Sequence, residues 1–200
     1  MATIFQNILA NAARKGIVNQ YSKESIAWFR NSMRKTVVSS TRLMREEKEN
    51  IVGSWTNVGI GKMYFAYYDP KHKATLPFYD SFPLIIPIQK YPDGFLGLNL
   101  HYLPPTLRAK LLDSLYETIN NASLDENKRM MINYTILKNA SKHRYFEPCV
   151  KRYLGTHFRS KFLKVPHQNW TPAVFLPVET FEKASRKDVW ENSRSKMQGR

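Results

Sequence analysis

Two apolar runs separated by a tight turn lie near the middle of the chain, and they constrain its fold more than any other feature. Phe82 to Ile88 and Phe95 to Tyr102 are rich in residues that favour strands. Between them, Tyr91 to Gly94 has the Pro-Asp-Gly sequence of a tight turn. The pattern predicts a β-hairpin and therefore an antiparallel sheet. Pro83 and Pro87 lack the backbone donor that a central strand uses, so their strand is predicted to be an edge strand or to be kinked.

Other strands are predicted on both sides of this hairpin. Lys62 to Tyr68 is rich in aromatic strand formers and ends at a turn over Asp69 to Lys73, which has a basic tip. Near the other end of the chain, Thr171 to Pro177 is a further strand candidate.

Helical periodicity surrounds the sheet region. A first helix is predicted to bury Ile4, Phe5, Ile8, Leu9 and Ala12 and to end at Gly16. A second helix, with Ser22 or Ser25 as N-cap, is predicted to carry Ile26, Phe29, Met33 and Val37 on one side.

Four further helices are predicted after the hairpin. One begins at Pro104-Pro105 and carries an apolar stripe of Leu107, Leu111, Leu112, Leu115, Tyr116 and Ile119. Ser123 and Glu126 have capping-box spacing for the next, which would run through Met131, Tyr134 and Leu137. A short helix over Cys149 to Leu154, with Gly155 as its stop, and a last helix from Glu179 to Met197 complete the set.

These patterns predict an α+β fold, in which several helices pack on a small antiparallel sheet and basic helical arms lie at the N- and C-termini. The predicted organisation is a basic helical arm over residues 1–52, an α+β core domain over 53–178 and a basic C-terminal helix over 179–200.

The distribution of charge indicates a polyanionic partner. The chain has 31 basic and 16 acidic residues, a net charge of +15. Residues 1–52 contribute +5 and residues 148–200 contribute +7, so the two ends carry +12 of the total. Such a surplus constrains partners rather than fold. DNA, RNA, an acidic protein surface and anionic lipid are all compatible with it.

Thirteen basic residues are the predicted contacts to nucleic acid or to a partner protein. They form a first group near the N-terminus, a middle group at residues 151–164 and a last group near the C-terminus: Arg30, Arg34, Arg42 and Arg45; Lys151, Arg152, Arg159, Lys161 and Lys164; and Lys183, Arg186, Lys187 and Arg194. In the middle group the cations alternate with Tyr153, Phe158 and Phe162, which either stack on bases or pack in the core. Either arrangement leaves a basic ridge. No DNA-reading motif that would specify a sequence is present.

The search for catalytic and metal-binding patterns predicts no enzyme, no metal and no cofactor. Asp80 and Asp93 lie in turns without the converging carboxylates that a two-metal nuclease needs. The five histidines do not have zinc-ligand spacing. Cys149 could act as a thiol nucleophile, but a lone cysteine is more often a small buried side chain, and burial is the prediction. Gly59 to Lys62 only faintly resembles a phosphate loop, since it leads into a strand.

Three features of the sequence bear on the membrane, the redox compartment and the role of the N-terminal segment. No apolar run approaches the ~18 residues of a membrane span. A single cysteine excludes an internal disulfide and favours a reducing compartment. The N-terminal segment is predicted to be a docking or capping helix, with an organelle presequence as the less favoured alternative.

Specific blocks of sequence resemble a small virion protein of T4-like contractile-tailed phages. These blocks are Tyr68 to Lys71, Leu76 to Asp80, Phe82 to Leu84, Asp93 to Asn99, His101 to Pro105, Phe146 to Cys149, Val189-Trp190 and Ser193-Arg194. The similarity runs from about Lys62 onward. It points to a DNA end protector, held with the packaged DNA terminus near the head–tail junction (neck), or to a baseplate or tail-hub component.

The resemblance implies a non-catalytic structural component of the virion, assembled in the host cytoplasm. Its partners would be other virion proteins, with double-stranded DNA left open, and it would have no small-molecule substrate. A free DNA-binding protein without sequence specificity is the alternative that the charge alone supports.

Overall fold

The computed structural model of the chain describes residues 2–17, 22–119, 135, 138, 139 and 145–199, and it confirms the predicted α+β class. The strands are β1 Ile51–Val52, β2 Met63–Phe65, β3 Tyr79–Asp80, β4 Leu84–Tyr91, β5 Gly94–Asn99, β6 Val150–Leu154, β7 Phe162–Val165 and β8 Phe181–Glu182. A six-stranded antiparallel sheet has the strand order β1-β7-β2-β4-β5-β6, and β3 and β8 form a separate two-stranded sheet.

The predicted hairpin is confirmed as β4 and β5, whose register runs from Tyr91 opposite Gly94 to Ile85 opposite Asn99. β4 is nevertheless not an edge strand, because it lies between β2 and β5. Pro83 precedes β4, and for Pro87 the alternative prediction is the correct one, since the register shifts between Pro87 and Gln89. Proline is thus accommodated in a central strand by a local irregularity.

Six helices pack with this sheet in the part of the chain that the structure describes. They are α1 Ile4–Arg14, α2 Lys23–Met33, α3 Ser40–Glu46, α4 Pro105–Ile119, α5 Trp170–Phe175 and α6 Arg186–Met197. Gly16 ends α1 with a φ of +76°, and Ser22 caps α2, as predicted. α2 ends at Met33, so the prediction for Val37 is wrong: this side chain is 90% exposed.

Residues alternate between two separate apolar clusters along each central strand, since successive side chains point to opposite faces of a sheet. The main core contains Met63 and Phe65 together with the buried faces of the helices. The opposite face carries Tyr64 and a mostly aromatic cluster that includes Phe95 and Tyr153. The sheet is therefore covered on both faces.

The predicted helix over Cys149 to Leu154 is wrong. Pro148 lies in a short 3-10 turn, and Val150–Leu154 is strand β6, paired antiparallel with β5. A tertiary contact decides the conformation of this segment. It contains β-branched and aromatic residues, and it pairs with the edge of β5 as a strand. Gly155 is not a helix stop either. A Cβ atom there would lie 2.2 Å from the Trp55 ring, so the position requires close approach.

Two predictions near the C-terminus are also wrong. The strand candidate Thr171 to Pro177 is mostly helical, as α5, and all six residues of that helix are buried. A short apolar run cannot be assigned from periodicity, and Pro172 lies in the first turn, where a helix tolerates proline. The last helix begins at Arg186 rather than Glu179, because Phe181–Glu182 pairs with β3 and Ser185 forms a capping box with Asp188.

Some predictions fall outside the described residues. These are the helix with its cap at Ser123 and, in α4, the side chains of Leu115, Tyr116 and Ile119. Leu111 and Leu112 of the same predicted stripe are buried. Within the described ranges no helix is long and apolar enough to cross a membrane.

The division into two arms and a core stays a prediction, but the packing of the N-terminal helices is clear. Phe5, Phe29 and Leu43, one from each of α1, α2 and α3, are fully buried and belong to the main core. Glu47 is also buried, and its Oε1 accepts a hydrogen bond of 2.9 Å from the Phe5 N–H in the first turn of α1. This carboxylate ties α1 to the end of α3.

We expect Glu47→Ala to lower the free energy of unfolding by about 1–3 kcal/mol, because it leaves the buried Phe5 N–H without an acceptor. Glu49→Ala is the matched control, since Glu49 is exposed. Urea unfolding of both variants measures the difference. Equal stabilities for the two variants would show that the hydrogen bond does not hold α1.

Candidate nucleic-acid interface

Two helices from opposite ends of the chain each carry a row of cations beside a buried row. In α2, Phe29 and Met33 are buried, while Arg30 and Arg34 lie one turn apart and are exposed. In α6, Val189, Ser193 and Met197 are buried at steps of four residues. The neighbouring row of α6, also at steps of four, is Arg186, Trp190 and Arg194.

These two rows face a common cleft, which we call the arginine cleft. Its volume is about 880 Å³. Its lining comes from four parts of the fold: Arg30 in α2 and Arg34 directly after it; Ser185, Arg186, Lys187, Trp190 and Arg194 at the start and along one side of α6; Pro104, Pro105 and Thr106 at the start of α4; and Phe175, Pro177 and Glu179 at the end of α5 and after it. Of the described residues that line it, five are basic and one is acidic.

The single carboxylate in the described lining is held by a buried arginine. Glu179 Oε1 lies 2.6 Å from Arg108 Nη2, and both side chains are at most 3% exposed. Arg108 also donates to the carbonyls of His101, Leu103 and Val174, at 3.2, 2.8 and 3.0 Å. Its guanidinium therefore joins the start of α4 to the end of α5 and to the segment before α6.

Each carboxylate oxygen of Glu179 lies close to a different arginine side chain. Burial acts to raise the pKa of Glu179, but the positive charge of Arg108, together with His101 and hydrogen bonds, lowers that pKa to about 2. Its Oε2 lies 3.3 Å from Arg186 Nη1 at the mouth of the cleft. One carboxylate is shared by two guanidinium groups, so the cleft keeps its positive charge.

Trp190 forms part of the cleft wall in a fixed orientation. Its Nε1 donates a hydrogen bond of 2.8 Å to the His101 carbonyl. The Arg108 guanidinium carbon lies over the ring, 5.5 Å from its centroid. The indole N–H is thus already bonded within the protein, and the half-buried ring is one of the lining residues of the cleft.

The structure brings five of the thirteen predicted contacts together in this cleft and places eight elsewhere. The five are Arg30, Arg34, Arg186, Lys187 and Arg194. Within the described ranges, Arg30, Arg34 and Arg194 have no acidic partner, and Lys187 lies a loose 3.8 Å from Glu191. Three guanidinium groups are therefore available to an incoming anion.

The rings of the predicted basic ridge over residues 151–164 are not exposed for stacking on bases. Tyr153 and Phe162 are buried, and Phe158 packs against the same aromatic cluster. The rings are core residues, which is the second of the two alternatives that the sequence left open. Lys161 and Lys164 are exposed, and neither has an ion pair among the described residues.

Six other predicted contacts are engaged within the protein. Arg152 pairs with Asp93 and lies 4.4 Å from the centre of the Tyr91 ring, and Arg159 pairs with Asp69. Arg42 and Arg45 lie 2.7 and 3.9 Å from Glu46.

The other two of these six residues, Lys151 and Lys183, contact an aromatic ring and backbone carbonyls. The Lys151 ammonium lies 4.0 Å from the centre of the Tyr102 ring, and burial lowers its pKa to about 8. Lys183 Nζ donates to three carbonyls of the 73–76 turn, at 2.6, 3.0 and 3.1 Å. Lys183 therefore anchors that turn.

Asp80 and Cys149, which the sequence analysis considered for chemistry, are both buried. Asp80 accepts hydrogen bonds from the Phe82 N–H, the Asn99 amide and His101 Nδ1, at 3.1, 3.1 and 2.7 Å, and it is buried. Cys149 is buried as predicted, and burial raises the pKa of its thiol to about 12. Within the described ranges no group of three or more potential ligand side chains is arranged to hold a metal ion.

Three functional features of the cleft are not predicted by the sequence patterns. In the sequence, Trp190 is predicted to belong to the apolar stripe of the last helix. The signal that could have identified it is its spacing, because it lies four residues from both Arg186 and Arg194 and therefore on the same face of the helix. Arg108 and Glu179 carry no local signal, because their pairing joins residues that are 71 positions apart.

Comparison with known proteins identifies a family. The model of the family described as phage T4 terminal DNA protecting protein matches residues 2–194. The comparisons with curated proteins and with solved structures gave no match.

The pKa of Glu179 predicts an acid-sensitive scaffold. Because the folded value of about 2 is below the ordinary 4.5, the ionised carboxylate stabilises the fold above pH 4.5, and this stabilisation is lost as the pH falls towards 2. A depression of this size corresponds to about 3 kcal/mol. We expect Glu179→Gln to lose about that much stability at pH 7, because it leaves Arg108 buried and unpaired.

Urea unfolding of wild type and variant at pH 7 and pH 3 measures this dependence. The difference between them should shrink at pH 3, whereas the control Glu191→Gln, at an exposed position, should differ little from wild type at either pH. A difference of the same size at both pH values would contradict the assignment.

Proposed function

Because this chain belongs to the family of phage T4 terminal DNA protecting proteins, we propose that it is a non-catalytic protein that binds the ends of double-stranded phage DNA. The observation that carries the proposal is the arginine cleft, in which cations from both ends of the chain converge on one side of the molecule. Phosphate contacts of this kind supply most of the affinity of proteins that bind DNA without sequence specificity.

Arginine is suited to this role. Its planar guanidinium binds phosphate oxygens through two parallel hydrogen bonds, and it stays charged at any physiological pH. Arg30, Arg34 and Arg194 have no competing carboxylate in the described part of the chain, so they give up no ion pair when phosphate binds. The start of α4, at Pro105 and Thr106, adds the positive end of a helix to the same cleft.

Protection of a DNA end requires occupancy rather than chemistry. A bound protein blocks access of an exonuclease to the terminus, and no nucleophile, metal ion or cofactor takes part. The burial of Cys149 and the saturated hydrogen bonding of Asp80 are in keeping with such a role.

We place the protein in the virion, on the packaged DNA terminus near the head–tail junction and in contact with other virion proteins. The family match favours this role over that of a baseplate or tail-hub component. Lys161 and Lys164 remain as a second, smaller basic surface that neighbouring virion proteins or DNA beyond the terminus could contact.

The proposal is tested with purified protein and linear duplex DNA. We expect binding to weaken steeply with salt, with a log–log slope of about −0.9 per bound phosphate, and bound protein to block an exonuclease. Replacing Arg30 and Arg34 together by Ala should weaken binding about tenfold or more. The same double substitution should reduce the salt slope by about 2, because each arginine is expected to neutralise one phosphate.

Arg14→Ala is the matched control, because Arg14 is exposed and lies outside the lining of the cleft. Lys161→Ala combined with Lys164→Ala shows whether the second basic surface contributes. The proposal fails if duplex DNA is bound with no salt dependence, if bound ends stay open to the exonuclease, or if the cleft variants bind as well as the control.

A further inference from the structure

The dimensions of the arginine cleft decide which part of a DNA end it can enclose. Its volume of about 880 Å³ is in the range of sites that enclose one small ligand, ~300–1,000 Å³. A duplex, whose major groove alone is about 12 Å wide, is too large to fit into a volume of this size. The helical stem of a DNA end can therefore rest against the mouth of the cleft, while only a few nucleotides of one strand can enter it.

The distribution of charge in the cleft matches a short piece of one strand. Arg30 and Arg34 lie on the α2 side, and Arg186 and Arg194 lie on the α6 side. The one carboxylate of the described lining is turned to Arg108 and Arg186, so it does not repel a phosphate at the centre. Cations on two opposed walls hold a phosphate between them, whereas a flat basic surface would contact only one side of a duplex backbone.

Trp190 gives the cleft a feature that phosphate binding does not need. The ring lies between Arg186 and Arg194 on α6, and its N–H is already donated to the His101 carbonyl. Arg108 occupies one region of the ring surface from inside the protein. Trp190 thus supplies to the lining of the cleft an aromatic side chain of fixed orientation between two cations on α6, and aromatic rings beside cations are what bind unpaired bases by stacking.

A paired base cannot use this surface, because its faces are covered by its neighbours in the duplex. The terminal pair of a blunt end exposes one face but carries the second strand with it, whereas a base that has no partner exposes its face on a single strand that can enter the cleft. The combination of a small basic cleft and an oriented ring therefore distinguishes the end of a strand from continuous DNA.

We infer that the arginine cleft encloses the terminal unpaired nucleotides of one strand at the DNA end, with phosphates bound by Arg30, Arg34 and Arg194 and a base stacked on Trp190. This rests on the proposed function and names the part of the DNA end that the cleft recognises. It implies that an end with a single-stranded overhang binds more tightly than a blunt end.

The experiment compares three kinds of DNA probe with the same duplex sequence: a hairpin with a blunt end, the same hairpin with a short overhang of either polarity, and a dumbbell that has no end. We expect the wild-type protein to bind one of the overhang probes about tenfold more tightly than the blunt hairpin. The dumbbell should bind most weakly.

Variants at position 190 isolate the ring. Trp190→Leu keeps an apolar side chain but removes the aromatic face, and it should abolish most of the preference for the overhang. Trp190→Phe keeps a smaller ring and should retain a measurable part of the preference. Tyr91→Leu is the matched control, because Tyr91 is another partly exposed ring beside an arginine, and it lies outside the cleft.

The outcomes separate the two proposals. If blunt and overhang probes bind equally but more tightly than the dumbbell, the inference about unpaired nucleotides is wrong while end binding stands. If all three kinds of probe bind equally, or none binds, the proposed function fails as well. If Trp190→Leu does not fold, the wild-type preference and its retention in Trp190→Phe still decide the question.

Discussion

The buried ion pair between Arg108 and Glu179 is the interaction on which the candidate site depends. A guanidinium that is 1% exposed must satisfy its donors inside the protein, and Arg108 does so with one carboxylate and three carbonyls. These acceptors belong to the segment before α4, to α5 and to the chain that leads into α6. Removing either partner would leave the other charge buried without a counter-charge, so the pair holds these three segments in one arrangement.

That geometry explains how two distant basic segments act together. α5 is completely buried, and it packs against both α2 and α4. α2 therefore rests on the same scaffold that Arg108 holds in place, and its arginines face those of α6. The surplus charge at the two ends of the sequence becomes one concave site with Trp190 on its wall. Packing thus brings cations that are far apart in the sequence into one cleft. The two rows of cations repel each other, and an anionic ligand would relieve this repulsion.

Local signals in the sequence are sufficient to predict some elements and misleading for others. The β4–β5 hairpin, the capped helices α1 and α2 and the proline start of α4 follow from turn residues, caps and periodicity, all of which act within a few positions. The sequence patterns mispredict β6 and α5, because pairing with β5 and burial between helices decide their conformation. At the site, the exposed arginines of α2 and α6 are predictable from helical spacing. Interactions across the fold decide the rest. They bring the two sets of arginines together, pair Glu179 with two arginines, and bind Arg152 and Lys183 to other parts of the protein.

Photocrosslinking tests most directly whether this cleft is where a DNA end binds. A duplex carrying a photoreactive group on its terminal nucleotide would be bound, irradiated and digested, and the attached peptides identified by mass spectrometry. Binding in the cleft predicts crosslinks to α2 and α6, within residues 23–34 and 186–197, and their disappearance when the reactive group is moved to the duplex interior. Crosslinks confined to residues 151–164, or the same crosslinks from an interior position, would contradict the assignment of the arginine cleft as the site that binds the end.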